Sequence, residues 1–204
     1  MATFIGTIFN DTNLNSQQNQ YGIDGNDFLS PHNDNKPYYL YGGNGDDQLY
    51  GYSYQDELYG GAGADLIRGL GGNDYIEGGS GGDLLYGDYG NDDIYGGRGR
   101  DTFVFDTKLN EKKNVDTIYG FTAGKEQIDL DKSIFTKIGA TGKTLKASKF
   151  VVGTKAKDSA DRIIYDEKNG VVRYDPDGDG PKSAKKFAIL DSHPDVSHSD
   201  FFVI

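Results

Sequence analysis

Residues 42–104 read GGNGDDQLY GYSYQDELY GGAGADLIR GLGGNDYIE GGSGGDLLY GDYGNDDIY GGRGRDTFV, seven nine-residue units with no insertion between them. Each unit opens with glycine and carries aspartate at its sixth place: Asp47, Asp56, Asp65, Asp74, Asp83, Asp92 and Asp101. Each holds an apolar residue at its eighth: Leu49, Leu58, Ile67, Ile76, Leu85, Ile94 and Phe103. A period this regular decides the architecture before any single residue does. The glycine-rich first part suits tight turns in which φ is often positive. The last three places suit a short strand, with one side chain inward and its neighbours outward. Turn, strand, turn, strand then winds one coil per two units. Alternate units stack on the same side, so Asp47, Asp65, Asp83 and Asp101 form a first column, and Asp56, Asp74 and Asp92 a second.

One inward side chain per unit is too little apolar burial to offset the ordering of nine backbones. The stacked carboxylates also repel one another. A cation between successive turns removes that repulsion and bonds to the turn carbonyls. The donors on offer are carboxylate and backbone oxygens, which select a hard ion such as calcium. A flexible glycine linker would not keep an inward apolar residue in phase.

The units resemble the GGxGxDxUx nonapeptide of the RTX (repeats-in-toxin, hemolysin-type) family. The resemblance implies an all-β fold: a right-handed parallel β-roll with calcium between its turns, capped by a C-terminal β-rich segment. It also implies a ligand set. One turn supplies its second- and fourth-place carbonyls and its aspartate; the next turn on that side supplies its first- and third-place carbonyls and its aspartate. In the first column this gives Ile23 and Gly25 with Asp27; Gly42, Gly43, Asn44 and Gly45 with Asp47; and Gly60, Gly61, Ala62 and Gly63 with Asp65. It continues with Gly78, Gly79, Ser80 and Gly81 with Asp83, then Gly96 and Arg98 with Asp101. In the second column it gives Tyr52 and Tyr54 with Asp56; Gly69, Leu70, Gly71 and Gly72 with Asp74; and Gly87 and Tyr89 with Asp92. The expected load is about five or six calcium ions. The second unit departs from the pattern, with Tyr52 and Tyr54 where glycine is expected.

Charge follows the repeats. Residues 1–104 hold 16 acidic and 4 basic residues, and residues 105–204 hold 16 and 17, so the net charge of −11 belongs to the first half. Six divalent ions would bring roughly +12, close to neutralising it. Such acidity argues against nucleic-acid binding. The chain has no cysteine, which excludes disulfides and thiolate metal sites. No stretch approaches the ~18 apolar residues of a membrane span, and residues 1–10 lack the basic start and apolar run of an N-terminal signal.

Three regions are expected. Residues 1–21 form a cap strand and loop, 22–104 the roll, and 105–204 a capping region that carries an export signal. Gly22–Ser30 is an isolated unit with Asp27 sixth and Leu29 eighth, placing Asp27 above Asp47. Residues 33–41 read as a degenerate unit, with Leu40 inward and Tyr38 in place of the carboxylate. After residue 104 glycine falls away, and Val115, Ile118, Phe121, Ile128 and Leu130 are expected to seal the open end of the core. Residues 114–130 and 146–204 resemble the C-terminal regions of secreted RTX proteins. Strands are expected at 162–165 and 171–174 around a turn at 168–170. The ending Asp200, Phe201, Phe202, Val203, Ile204 is similar to uncleaved type I secretion signals; an ordinary last strand is the bland reading, and the two are compatible. Tyrosines at ninth places (Tyr41, Tyr50, Tyr59, Tyr86, Tyr95) form either a sugar-stacking ladder or, as we favour, cross-strand packing.

Catalytic motifs are absent or out of context. Ser80 in Gly78–Gly82 fits GxSxG, but lies inside a repeat turn rather than between a strand and a helix. The loop starting at Asp175 (DPDGDG) begins like an EF-hand, yet its twelfth place is Lys186 where glutamate is required. HExxH does not occur, and a phosphate loop at Gly142-Lys143-Thr144 lacks its upstream glycine. His193, Asp195 and His198 are read as ordinary terminal residues. The expectation is therefore a secreted, extracellular, non-enzymatic protein or module that meets type I secretion machinery in transit and folds on calcium outside the cell. The alternative is a polysaccharide-binding module of an extracellular carbohydrate-active enzyme.

Overall fold

The computed structural model describes residues 3–5, 12–13, 19–31 and 36–204. The first strands in chain order are β1 (Thr3–Ile5), β2 (Thr12–Asn13), β3 (Asn19–Tyr21) and β4 (Phe28–Leu29). The repeats follow as β5 (Tyr39–Asn44), β6 (Gln48–Tyr52), β7 (Glu57–Ala62), β8 (Leu66–Leu70), β9 (Tyr75–Gly81), β10 (Leu84–Tyr86), β11 (Asp93–Gly99) and β12 (Thr102–Phe105). The C-terminal half contributes β13 (Asp116–Tyr119), β14 (Gln127–Leu130), β15 (Lys143–Thr144), β16 (Phe150–Val152), β17 (Ile163–Asp166), β18 (Val171–Tyr174), β19 (Lys185–Leu190) and β20 (Phe201–Val203). Two short 3-10 turns, Ala147–Lys149 and His198–Asp200, are the helical elements among the described residues.

Successive repeat strands alternate between two parallel sheets, as a two-unit coil requires. One sheet runs β1-β3-β5-β7-β9-β11-β13-β19-β18-β17-β16 and the other β15-β20-β14-β12-β10-β8-β6-β4-β2. The nine-residue period sets the register. Leu40 lies opposite Leu58, Leu58 opposite Ile76 and Ile76 opposite Ile94. On the facing sheet Leu49, Ile67, Leu85 and Phe103 align in the same way. All eight are buried, so the interior is two columns of single side chains between the sheets. The molecule is a parallel β-roll.

Parallel pairing does not stop where the nonapeptides stop. β13 adds to β11 with Ile118 opposite Ile94, and β14 adds to β12 with Ile128 opposite Phe103. A further coil is completed from distant sequence: β19 sets Leu190 opposite Ile118, and β20 sets Phe201 opposite Ile128. Val115, Ile118, Phe121, Ile128 and Leu130 are all buried, and all but Val115 belong to the main core. Beyond β19 the sheet turns antiparallel through β18 and β17, the hairpin expected around 168–170, and ends in β16. The last residues form an ordinary buried strand, with Phe201 and Val203 inward.

At the other end, β1 and β2 are the outermost strands of their stacked parallel runs, pairing with β3 and β4. The rest of the expected N-terminal cap and loop (residues 1–2, 6–11 and 14–18), and residues 32–35 with His32 and the start of the degenerate unit, lie outside the described residues. Leu40 is inward and Tyr38 is buried at the sixth place.

Candidate metal centre

The sixth-place aspartates are turned inward. Asp27, Asp47, Asp56, Asp65, Asp74, Asp83, Asp92 and Asp101 are each between 0% and 2% exposed, a degree of burial that carboxylates tolerate only with partners. In seven of them, all but Asp27, one oxygen accepts an amide of the preceding coil. In the first column the Asp27 amide donates to Asp47 Oδ1 at 2.7 Å, Asp47 to Asp65 at 2.8 Å, Asp65 to Asp83 at 2.9 Å and Asp83 to Asp101 at 3.0 Å. In the second, the Tyr38 amide donates to Asp56 Oδ1 at 2.7 Å, Asp56 to Asp74 at 2.8 Å and Asp74 to Asp92 at 2.8 Å. Each of these seven carboxylates thus clips its own coil to the one before it.

The other oxygen is where a cation is called for. Oδ2 of Asp47, Asp65, Asp74, Asp83, Asp92 and Asp101 is buried and accepts no hydrogen bond. A buried anionic oxygen left unpaired costs several kcal/mol. First-place glycines line the space each faces. A methyl group on Gly42 would run into Asp47 Oδ2 and the Gly60 carbonyl oxygen; on Gly60, into Asp65 Oδ2 and the Gly78 oxygen; on Gly78, into Asp83 Oδ2 and the Gly96 oxygen. On Gly69 it would meet Asp74 Oδ2 and the Gly87 oxygen. From the coil above, the carbonyls of Gly43 and Gly45 point at Gly61 and Gly63 below, and those of Gly61 and Gly63 point at Gly79 and Gly81. The orphaned oxygens of Asp47, Asp65, Asp83 and Asp74 thus each share a first-place glycine with the next coil's first-place carbonyl, an all-oxygen pairing that suits a hard divalent ion. The third-place carbonyls expected as ligands accept fourth-place amides of the coil above instead: Asn44 that of Gly25, Ala62 that of Gly45, Ser80 that of Gly63 and Tyr89 that of Gly72. Among the described residues no three His, Cys, Asp or Glu side chains gather as a metal site, so backbone oxygens have to complete any shell.

Two turns differ from this pattern. Asp56 Oδ2 accepts the Tyr52 amide at 2.8 Å, and Asp27 Oδ2 accepts the Ile23 amide at 3.3 Å, so neither oxygen is orphaned. Tyr52 and Tyr54 do not take the left-handed backbone that Gly43 and Gly45 (φ 114° and 129°) take at the same places. Leu70 and Asp88 do take it at second places (φ 70° and 67°), a strain that an L residue accepts only when its surroundings enforce it.

Burial pushes these carboxyls up. Asp47, Asp56 and Asp83 rise to about 6, Asp65 and Asp92 to about 7 and Asp74 to about 9, and Asp101 is raised as well. Desolvation is the main cause throughout, with repulsion from column neighbours adding to it at Asp65 and Asp74.

Sequence reasoning missed Asp116. It lies outside every nonapeptide, yet is 3% exposed and takes the Asp92 amide on Oδ1 at 3.3 Å. Burial and the facing Asp92 carboxylate hold it well above the ordinary range. The signal available was the apolar pair Ile118–Tyr119 behind it, matching Ile94–Tyr95.

The tyrosine row also differs from the ninth-place ladder. Tyr50 and Tyr86 belong to the opposite sheet. The continuous row is Tyr21–Tyr39–Tyr59–Tyr75–Tyr95–Tyr119, with ring centroids 4.4–5.6 Å apart, mixing seventh and ninth places because side chains interleave diagonally across strands. Glu57, Glu77 and Asp93 accept from the Tyr59, Tyr75 and Tyr119 hydroxyls. Elsewhere, the loop starting at Asp175 is a polar turn in which Asp175 Oδ1 accepts the Asp177 and Gly178 amides.

The family model described as RTX calcium-binding nonapeptide repeat (4 copies) matches residues 41–76 and 68–103. No curated protein matches the chain. Among solved structures, the solution structure of the AlgE6R3 subunit from the Azotobacter vinelandii mannuronan C5-epimerase is similar at 22% identity, with a TM-score of 0.49, over 73% of this chain and 78% of that one.

Proposed function

We propose, from the premise that residues 41–103 are RTX calcium-binding repeats, that this chain is a non-catalytic calcium module whose roll folds as the ions bind. The carrying observation is the set of six buried Oδ2 atoms without a hydrogen-bond partner. Asp47 with Asp65, Asp65 with Asp83, Asp83 with Asp101, and Asp74 with Asp92 are the four pairs in which the orphaned oxygen and the next first-place carbonyl face one glycine. The pairs Asp27–Asp47 and Asp56–Asp74 bind more weakly, since a backbone amide already holds one oxygen. Binding and folding are one event because the donors converge only when two coils are stacked. Affinities of ~0.1 to 1 mM, those of extracellular calcium modules, would leave the chain open in a calcium-poor cytosol and closed outside. Export through a type I channel, with residues 200–204 as signal before Phe201–Val203 pair as β20, completes this reading. Titrating calcium into the EGTA-treated chain tests it: β-sheet circular dichroism should appear with calcium uptake. A β signal that is complete in EGTA refutes the coupling.

A second reading, polysaccharide binding, is favoured by the tyrosine row on the outer face of one sheet. Glu57, Glu77 and Asp93 along it would repel an anionic chain, so a neutral glycan is the better fit. Retention on a neutral polysaccharide gel that is lost in Tyr59→Ala with Tyr95→Ala supports this reading; equal elution of both chains removes it.

A further inference from the structure

We infer that Asp92 and Asp116 hold an additional divalent cation, one coil beyond the last position the nonapeptides define. The inference rests on the calcium reading above. Asp116 follows Asp92 by 24 residues, outside the repeat. β13 nonetheless sets Thr117 opposite Asp93 and Ile118 opposite Ile94, so Asp116 sits directly below Asp92 in the second column. Asp116 Oδ1 takes the Asp92 amide, the same clip that joins Asp74 to Asp92. Asp92 is 1% exposed and its Oδ2 has no hydrogen-bond partner.

That oxygen is aimed at a built cradle. A methyl group on Gly87 would lie 2.5 Å from Asp92 Oδ2 and 2.9 Å from Asp116 Oδ2. At Gly42, Gly60, Gly69 and Gly78 the same space is bounded by one carboxylate oxygen and the next coil's carbonyl. Here a second carboxylate oxygen stands where the repeats offer a neutral one. Two carboxyl oxygens facing one glycine, with no competing amide on Asp92 Oδ2, make an all-oxygen pocket suited to a hard divalent ion.

The end of the first column shows why this position is singled out. Glu126 there takes the sixth place below Asp101, since Gln127 lies opposite Thr102. Its Oε2 accepts the Thr122 amide at 2.9 Å, and its Oε1 lies 4.0 Å from the Lys125 ammonium. Lys125 thus offers Glu126 a charge of the chain's own, although Asp101 Oδ2 beside it has no hydrogen-bond partner. Among the described residues neither Asp92 nor Asp116 makes a salt bridge, and Arg68 is engaged by Asp88 and Asp106.

Native mass spectrometry in calcium, comparing the full chain with Asp116→Asn and Glu126→Gln, tests the assignment. Asp116→Asn should carry one calcium fewer, and Glu126→Gln the unaltered number; equal counts for Asp116→Asn and the unaltered chain overturn it. Should Asp116→Asn fail to fold, crystals of the unaltered chain soaked in terbium decide. An anomalous peak between Asp92 and Asp116 upholds the site, and peaks at the repeat pairs with none there overturn it while leaving the calcium reading intact. Absence of peaks at every pair removes both.

Discussion

In the repeat coils Leu58, Ile76 and Ile94 each stand as the single inward apolar residue of their unit, and a buried carboxylate flanks each one. After residue 104 the same two sheets continue, but the interior widens. Phe187 packs edge-to-face on Phe105 and Phe135, and Phe135 on Tyr174, with centroids 5.0–5.3 Å apart. One half of the roll stacks its coils over buried carboxylates whose second oxygens mostly lack a hydrogen-bond partner; the other does so with aromatic bulk and an antiparallel hairpin. Large side chains bury enough apolar surface to offset the ordering of the chain, whereas turns built of glycine and aspartate bury little.

The largest expected effect removes that contrast at a stroke. In EGTA, amides of residues 42–104 should exchange with solvent at near-unfolded rates, while those of Ile163–Asp166 and Val171–Tyr174 stay protected. Hydrogen exchange with mass readout checks this, and uniform loss along the chain would mean that the aromatic half also depends on the ions. Next comes Phe187→Ala, expected to cost about 3 to 5 kcal/mol in calcium-saturated unfolding, as buried aromatic truncations do. A loss under ~1 kcal/mol would show the C-terminal core to be dispensable.

Asp65→Ala should follow, because Asp65 is bonded between two coils and would serve two of the proposed ion positions. At calcium ten times the dissociation constant each position contributes about 1.4 kcal/mol, so roughly 3 kcal/mol is lost. Asp56→Ala should lose less than half as much, since Tyr52 already satisfies its second oxygen. Equal melting shifts for the two would break the distinction between orphaned and satisfied carboxylates.

The smallest effect is with pH. The column carboxyls have folded values raised above 3.8, to about 6 at Asp83, 7 at Asp65 and 9 at Asp74. Without metal the folded roll therefore binds more protons than the open chain, and its stability falls as pH rises from about 4 through 6 to 9. In EGTA, β-sheet signal should be greater at pH 5 than at pH 8. In calcium the affinity should drop over the same fall in pH, because protons compete for the same oxygens. An EGTA signal independent of pH would show that the carboxylates are not buried without ions.

The nine-residue period by itself determined the coil, the two sheets, the inward apolar columns and the aspartate columns. A repeat equal to half a coil turns sequence spacing directly into strand register, so Leu40, Leu58, Ile76 and Ile94 could be aligned without coordinates. Tertiary structure alone decided the rest. Spacings of 24 residues from Asp92 to Asp116, and still longer ones to β19 and β20, carry no period, so nothing in the sequence says which strand they join. That choice is made by contacts such as Ile118 against Leu190 and Ile128 against Phe201, which exist only once the chain has folded back on the roll.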